Sequence, residues 1–219
     1  MSVLRFITLE GGEGAGKSTQ ARLLADRLGA LGLMVVLTRE PGGSPFAERL
    51  RDAILAQGSE MPDPLAQALA FFAARADHIS ATIKPALETG AFVISDRFSD
   101  STRVYQGAAG GAAPSVLDAL EQIVVGDHQP GLTLVLDLPA EVGLERVGGR
   151  RAAAGSDVSN EAADMFEARD LAFHETLRTG FQVLVAREPE RCRVIDARGS
   201  VQEISAAIWE QVVERFGLA

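Results

Sequence analysis

The chain has 219 residues, 47% of them hydrophobic, and a formal net charge of −9. That length suits one α/β domain, or one domain with an appended lid, and allows a sizeable core. The acidic balance argues against a nucleic-acid partner, whose binder would be basic, and no apolar run is long enough to span a bilayer.

In chain order, apolar runs alternate with stretches of helical periodicity, the pattern of a parallel sheet covered on both faces. Val3–Leu9 reads as a buried strand, and Lys17–Leu31 as a helix. A strand Met34–Thr38 then precedes helices Pro45–Ala56 and Pro64–Glu88. Phe92–Ser95, helix Pro114–Val125 and strand Leu132–Asp137 follow. Helices Ala140–Arg150 and Asp164–Ala186, strand Arg193–Asp196 and helix Val201–Phe216 complete the chain. Proline at the start of three helices suits a first turn, where its missing N–H is not needed. Gly148–Ala163 is small and polar between two helices and reads as a lid. The expectation is a doubly wound α/β domain over 1–219, five parallel strands with helices on both faces.

Gly11-Gly12-Glu13-Gly14-Ala15-Gly16-Lys17-Ser18 fits G-x-x-x-x-G-K-[ST], with Thr19 directly after it. The pattern falls between a strand and a helix, where it has a mechanism. Backbone N–H groups converge at the positive end of the helix dipole and bind phosphate. The glycines let the chain approach the phosphates, Lys17 reaches the β/γ oxygens, and the Ser18 hydroxyl can ligate Mg²⁺. Only two of the 21 Lys and Arg residues are lysines, Lys17 and Lys84. A lysine kept at position 17 in so arginine-rich a chain supports a point-charge role that a guanidinium fork does not fill. The chain is expected to bind a nucleoside triphosphate.

Phe92-Val93-Ile94-Ser95-Asp96 ends a buried strand with a carboxylate, the place from which an Asp helps hold Mg²⁺, and Arg97 follows it to reach phosphate. A guanine-reading switch would need an Asn-Lys-x-Asp motif. Lys84 is followed by Pro85 and Ala86, so the motif is absent. A small transferase is favoured over a switch or an ATP-binding regulatory protein. The lone Cys192 reads as an inert residue of a reducing cytoplasm. His78, His128 and His174 match no metal spacing and read as structural or surface residues.

Several segments resemble the bacterial thymidylate kinases, P-loop nucleoside-monophosphate kinases. They are Thr38-Arg39-Glu40-Pro41-Gly42-Gly43, Phe71-Phe72-Ala73-Ala74-Arg75, Asp96 to Thr102, Tyr105-Gln106-Gly107, Leu132 to Asp137 and Phe173-His174-Glu175. The resemblance runs from Arg5 to about Phe216. It implies phosphorylation of dTMP by ATP with Mg²⁺, for dTTP synthesis, by a cytoplasmic homodimer. Phe71 and Arg75, four apart on one helix face, would stack on thymine and donate to its O4. Thr102 and Gln106 would complete the base contacts, and Tyr105 would lie against the sugar and disfavour a ribose 2′-OH. Arg97, Arg39 and Arg51 would surround the monophosphate, and Glu13 would face the sugar-phosphate edge of the acceptor. Phe72 is expected in the core instead.

One position departs from the family pattern. Asp164-Met165-Phe166-Glu167 has Met165 where an arginine is usual. Arg150, Arg151 and Arg146 are therefore the candidate lid cations, with Arg150 and Arg151 expected to be catalytic beside Lys17, Arg97 and Asp96.

Overall fold

The computed structural model describes residues 3–55, 62–154, 166 and 169–218. Strands β1 (Phe6–Glu10), β2 (Val35–Arg39), β3 (Phe92–Asp96), β4 (Leu132–Asp137) and β5 (Cys192–Asp196) form one sheet in the order β2-β3-β1-β4-β5. Every pairing is parallel. Helices α1 (Lys17–Ala30), α2 (Pro45–Leu55), α3 (Pro64–His78), α4 (Lys84–Glu88) and α5 (Ser99–Thr102) alternate with the first strands. Helices α6 (Pro114–Val124), α7 (Ala140–Ala154), α8 (Leu171–Arg187) and α9 (Val201–Phe216) alternate with the last. This is the doubly wound five-stranded architecture expected from the alternating pattern.

The pleat of β1 divides the molecule. Ile7 and Leu9 join Leu24 and Leu28 of α1 and Ile204, Ile208 and Val212 of α9 in one core. Phe6 enters a second core with Ala68 and Phe72 of α3, Val93 and Leu117. A third cluster sets Val104 and Tyr105 against Phe173, Leu177, Phe181 and Leu184 of α8. Each such fully buried apolar side chain contributes about 1.5–3 kcal/mol. The middle of the second face is polar. Thr8 and Thr133 share a hydroxyl hydrogen bond of 2.9 Å, and Glu10 is fully buried.

The expected elements differ from the structure in informative places. Lys84 begins a new helix because Pro85 supplies no N–H, and the chain widens into a π turn over Ile79–Ile83 before it. Helix α8 starts at Leu171, where the Asp170 side chain caps it by accepting from Phe173 N at 2.9 Å, and the expected start at Asp164 lies outside the described residues. Helix α7 continues past Arg150 to Ala154, so Gly148–Ala154, assigned above to the lid, is helical; Ala and Arg favour helix enough to offset the paired glycines. Residues 155–163 of that lid, and Met165, lie outside the described residues. Sequence periodicity also missed α5 and the π-helical Arg103–Ala109 that continues it. Val104, Tyr105 and Gln106 are three consecutive buried residues there, which no 3.6-residue stripe announces.

Candidate active site

The C-terminal ends of β1 and β3 are adjacent because Leu9 pairs with Asp96. This register brings the glycine loop after β1 beside the acidic end of β3. Gly14 has φ 72°, and a Cβ on it would collide with the Gly143 carbonyl of α7. The loop is thus pressed against α7, and glycine is required for close approach as well as for backbone freedom. Gly16, at φ 90°, caps the start of α1. Gly11, Gly12, Glu13, Gly14, Ala15 and Gly16 form the expected loop, with Lys17, Ser18 and Thr19 in the first turn of α1.

Lys17 is buried, and its Nζ arches back to the carbonyls of Gly12 at 2.7 Å and Gly11 at 3.1 Å. Burial pulls its pKa below the ordinary lysine value, with the Arg97 charge acting in the same direction. The Ser18 hydroxyl donates to an Asp96 carboxylate oxygen. A hydroxyl and a carboxylate from two different elements make the hard-oxygen donor pair that suits Mg²⁺.

Arg97 is the one non-glycine with positive φ, 70°, among the described residues. Such a conformation costs about 1–3 kcal/mol and persists only when neighbours over-determine it. Here Arg97 N donates to Leu9 O at 3.0 Å, and Ser95 Oγ donates to Arg97 O at 2.7 Å. The guanidinium then spans the site. Nη1 donates to Gly11 O (3.2 Å) and Ser101 Oγ (3.1 Å), and Nη2 to Glu13 Oε1 (2.6 Å) and Tyr105 OH (3.0 Å). Burial works to raise the Glu13 pKa, but the charges of Arg97 and Lys17 outweigh it and hold the carboxyl at about 2. Burial raises Tyr105 well above the ordinary phenol value.

A second group lies on α3. Arg75 is buried; its Nε donates to Glu40 Oε2 at 2.8 Å and its Nη2 to Thr102 Oγ1 at 3.1 Å. Nη1 is buried without a hydrogen-bond partner among the described residues. Phe72 is in the core, while Phe71 is half-buried beside Ile54 and Phe166. Gln106 donates to Gln67 at 3.1 Å. Arg39 meets Glu48 at 3.2 Å on the exposed edge, and Arg51 donates to Pro41 O at 2.7 Å. Burial lowers the Arg51 pKa, the Arg39 charge acts in the same direction, and Glu48 opposes both.

The structure therefore brings together Lys17, Ser18, Asp96, Arg97, Glu13 and Tyr105, and beside them Arg75 with Thr102. Arg150 and Arg151 lie on α7, but their side chains fall outside the described residues. Three contributors were missed from sequence. Glu40 holds Arg75 and accepts from His78 Nδ1 at 2.9 Å; its signal was an acidic residue at a strand end inside the Thr38–Gly43 block. Phe166 lies edge-on to Tyr105 at 5.1 Å, and Gly143 seats the loop. His78 and His174 are buried, and His128 is half-buried.

A family model described as thymidylate kinase matches residues 9–208. The chain belongs to the thymidylate kinase family. It is 52% identical over 213 residues to the thymidylate kinase of Caulobacter vibrioides, covering 97% of this chain and 98% of that protein. It is 49% identical over 211 residues to that of Nitrobacter winogradskyi, covering 96% and 89%. The crystal structure of thymidylate kinase from Ehrlichia chaffeensis superposes with a TM-score of 0.73 at 31% identity, covering 94% of this chain and 97% of that one. Membership makes the chain a nucleotide-binding phosphotransferase with a P-loop nucleoside-monophosphate-kinase fold. No helix among the described residues is long and apolar enough to cross a membrane.

Proposed function

We propose that this thymidylate kinase family member transfers the terminal phosphoryl group of ATP to a phosphate oxygen of dTMP, giving ADP and dTDP. The observation that carries the reading is the span of Arg97 from the phosphate loop at Gly11 and Glu13 to Tyr105. One guanidinium bonded to the donor loop and to the helix carrying the acceptor-reading residues suits transfer between two nucleotides. The transition state is metaphosphate-like, so positioning and charge neutralisation do the chemistry.

Lys17 and the loop amides would hold the donor's β- and γ-phosphates. Ser18 and Asp96 would hold Mg²⁺, which would supply positive charge against the donor phosphates. Arg97, Arg39 and Arg51 would bind the acceptor phosphate, where forked donors match its oxygens. Unpartnered Arg75 Nη1 would donate to thymine O4, and Phe71 would give the ring an apolar face. Thr102 and Gln106 would complete the base contacts. The Tyr105 ring would exclude a ribose 2′-OH, and Glu13 would fix the Arg97 fork opposite the sugar-phosphate edge. Arg150 or Arg151 would add positive charge on lid closure.

The exposed apolar side chains Phe46 on α2, Leu65 and Leu69 on α3 support a homodimer through these helices. A coupled assay of ADP release across nucleoside monophosphates tests the function. Turnover with dTMP well above that with dUMP, dCMP, AMP and GMP is expected, and preference for another monophosphate overturns it. Thermal shift by the same monophosphates is an independent check, since an acceptor stabilises the folded state.

A further inference from the structure

Glu10 has no part in the site as described, yet it lies at the centre of what holds Arg97. It closes β1, and the pleat turns its side chain to the face of Phe6 and Thr8, where it is fully buried. Glu10 Oε1 accepts from Phe98 N at 2.7 Å, directly after the strained Arg97 backbone. Glu10 Oε2 accepts from Ser101 Oγ at 2.6 Å, and that hydroxyl oxygen accepts from Arg97 Nη1 at 3.1 Å. One carboxyl group thus restrains Arg97 from both ends: its main chain through the next amide, its guanidinium through Ser101.

A buried carboxyl is costly to desolvate and is not needed for packing at this position, where an apolar residue would be cheaper. Nor is it the closest partner of the guanidinium, a role taken by Glu13. Its two hydrogen bonds both lead to Arg97 and to nothing else in the site. Ser99 and Asp100, between the two donors, are occupied elsewhere. Ser99 donates to Glu121 at 3.1 Å, and Asp100 forms a two-pronged ion pair with Arg191 at 2.7 and 2.8 Å. The segment Phe98–Ser101 is therefore anchored at each of its four residues, two of them by Glu10.

We propose that Glu10 is a positioning residue, its carboxylate fixing the Arg97 guanidinium through Ser101 and the Phe98 amide so that turnover depends on it. This rests on the reading of Arg97 as a phosphate ligand. The test is a double-mutant cycle on full-length enzyme at pH 9, where Glu10, pushed up to about 8 by burial and by Asp100, is ionised. Glu10→Gln keeps the acceptor for Phe98 N–H and removes the acceptor for the Ser101 hydroxyl. Ser101→Ala cuts the link to the guanidinium and leaves the Glu10 carboxylate its hydrogen bond from Phe98 N. Each is expected to lower kcat roughly 10–100-fold, with the ATP KM within about twofold of wild type, as for a small misplacement of a charge-stabilising group. Neither is expected to lower kcat further in an Arg97→Ala background, and Ser101→Thr is expected to restore most of the loss.

Wild-type turnover in folded Glu10→Gln or Ser101→Ala overturns the inference, as do losses that multiply with that of Arg97→Ala. Should Glu10→Gln fail to fold, the Ser101→Ala cycle and the Ser101→Thr rescue decide alone. Arg97→Ala with unchanged turnover overturns the reading of Arg97 itself, and the inference falls with it.

Discussion

Arg97 and Glu13 form an ion pair of 2.6 Å between the end of β3 and the phosphate loop, and the Tyr105 hydroxyl donates to the same Glu13 oxygen at 2.8 Å. The acidic residue inside the phosphate loop is thereby paired with the Arg97 guanidinium. Glu13 is held at about 2 against an ordinary value of 4.5, so its ionised form favours the folded state. That stabilisation is complete above about pH 4.5 and is lost as pH falls toward 2. Melting temperature against pH should therefore fall more steeply below about pH 4.5 in the wild type than in Glu13→Gln. Parallel curves would show that the pair contributes nothing.

Removing Lys17 removes a preorganised positive charge from the phosphate loop. Lys17→Ala is expected to lower turnover by roughly 10²–10³-fold while the protein remains folded, by the scale of other lost charge-stabilising donors. Steady-state kinetics and a melting curve on the same preparation check both halves. Turnover close to wild type would make Lys17 a structural residue.

Arg75 carries two roles that one substitution separates by readout. Among the described residues its Nη1 is buried and unpartnered, and its Nε holds buried Glu40. Arg75→Ala is expected to weaken dTMP binding by about 1–3 kcal/mol through the unpaired base acceptor. It should also lower the melting temperature, because Glu40 loses its buried cation. The KM for ATP should stay near wild type; equal damage to both substrates would leave only the structural role.

Tyr105 is packed by Phe166 and Phe173 and bonded to Arg97 and Glu13. Tyr105→Phe keeps the ring and removes the hydroxyl, so it tests the polar contacts, while Tyr105→Ala opens the space beside the sugar. Discrimination between dTMP and ribothymidine monophosphate should collapse in Tyr105→Ala and largely persist in Tyr105→Phe. Unchanged discrimination in both would place the sugar elsewhere.

Met165 stands where the family resemblance implies an arginine, and α7 carries the proposed alternatives, Arg150 and Arg151. Arg150→Ala or Arg151→Ala should lower kcat far more than it raises either KM, because a lid contact forms only on closure. Met165→Arg should raise activity only if neither arginine already fills the role. Full turnover in both alanine variants, with no effect of Met165→Arg, would assign charge stabilisation to Lys17, Arg97 and Mg²⁺.

The amino-acid sequence alone determined the sheet, the phosphate loop and the family. Those features are local: an apolar run, a glycine spacing, a strand that ends in Asp96-Arg97, and blocks of contiguous residues. Phe72 lies in the core as expected, and Phe71, whose role was implied by the family resemblance, is half-buried against Ile54. What only the tertiary structure decided depends on residues far apart in the chain. Gly14 must be glycine because Gly143 presses on it, and Arg75 is oriented by Glu40, 35 residues away. Arg97 is held by Glu10 through Ser101, 91 residues from that carboxylate. The buried helix carrying Tyr105 and Gln106 has no amphipathic stripe, because a π-helical turn and polar partners replace the apolar periodicity that a sequence displays. Backbone hydrogen bonding and side-chain alternation write themselves into neighbouring residues, whereas buried polar pairs are set by which strands the fold makes adjacent.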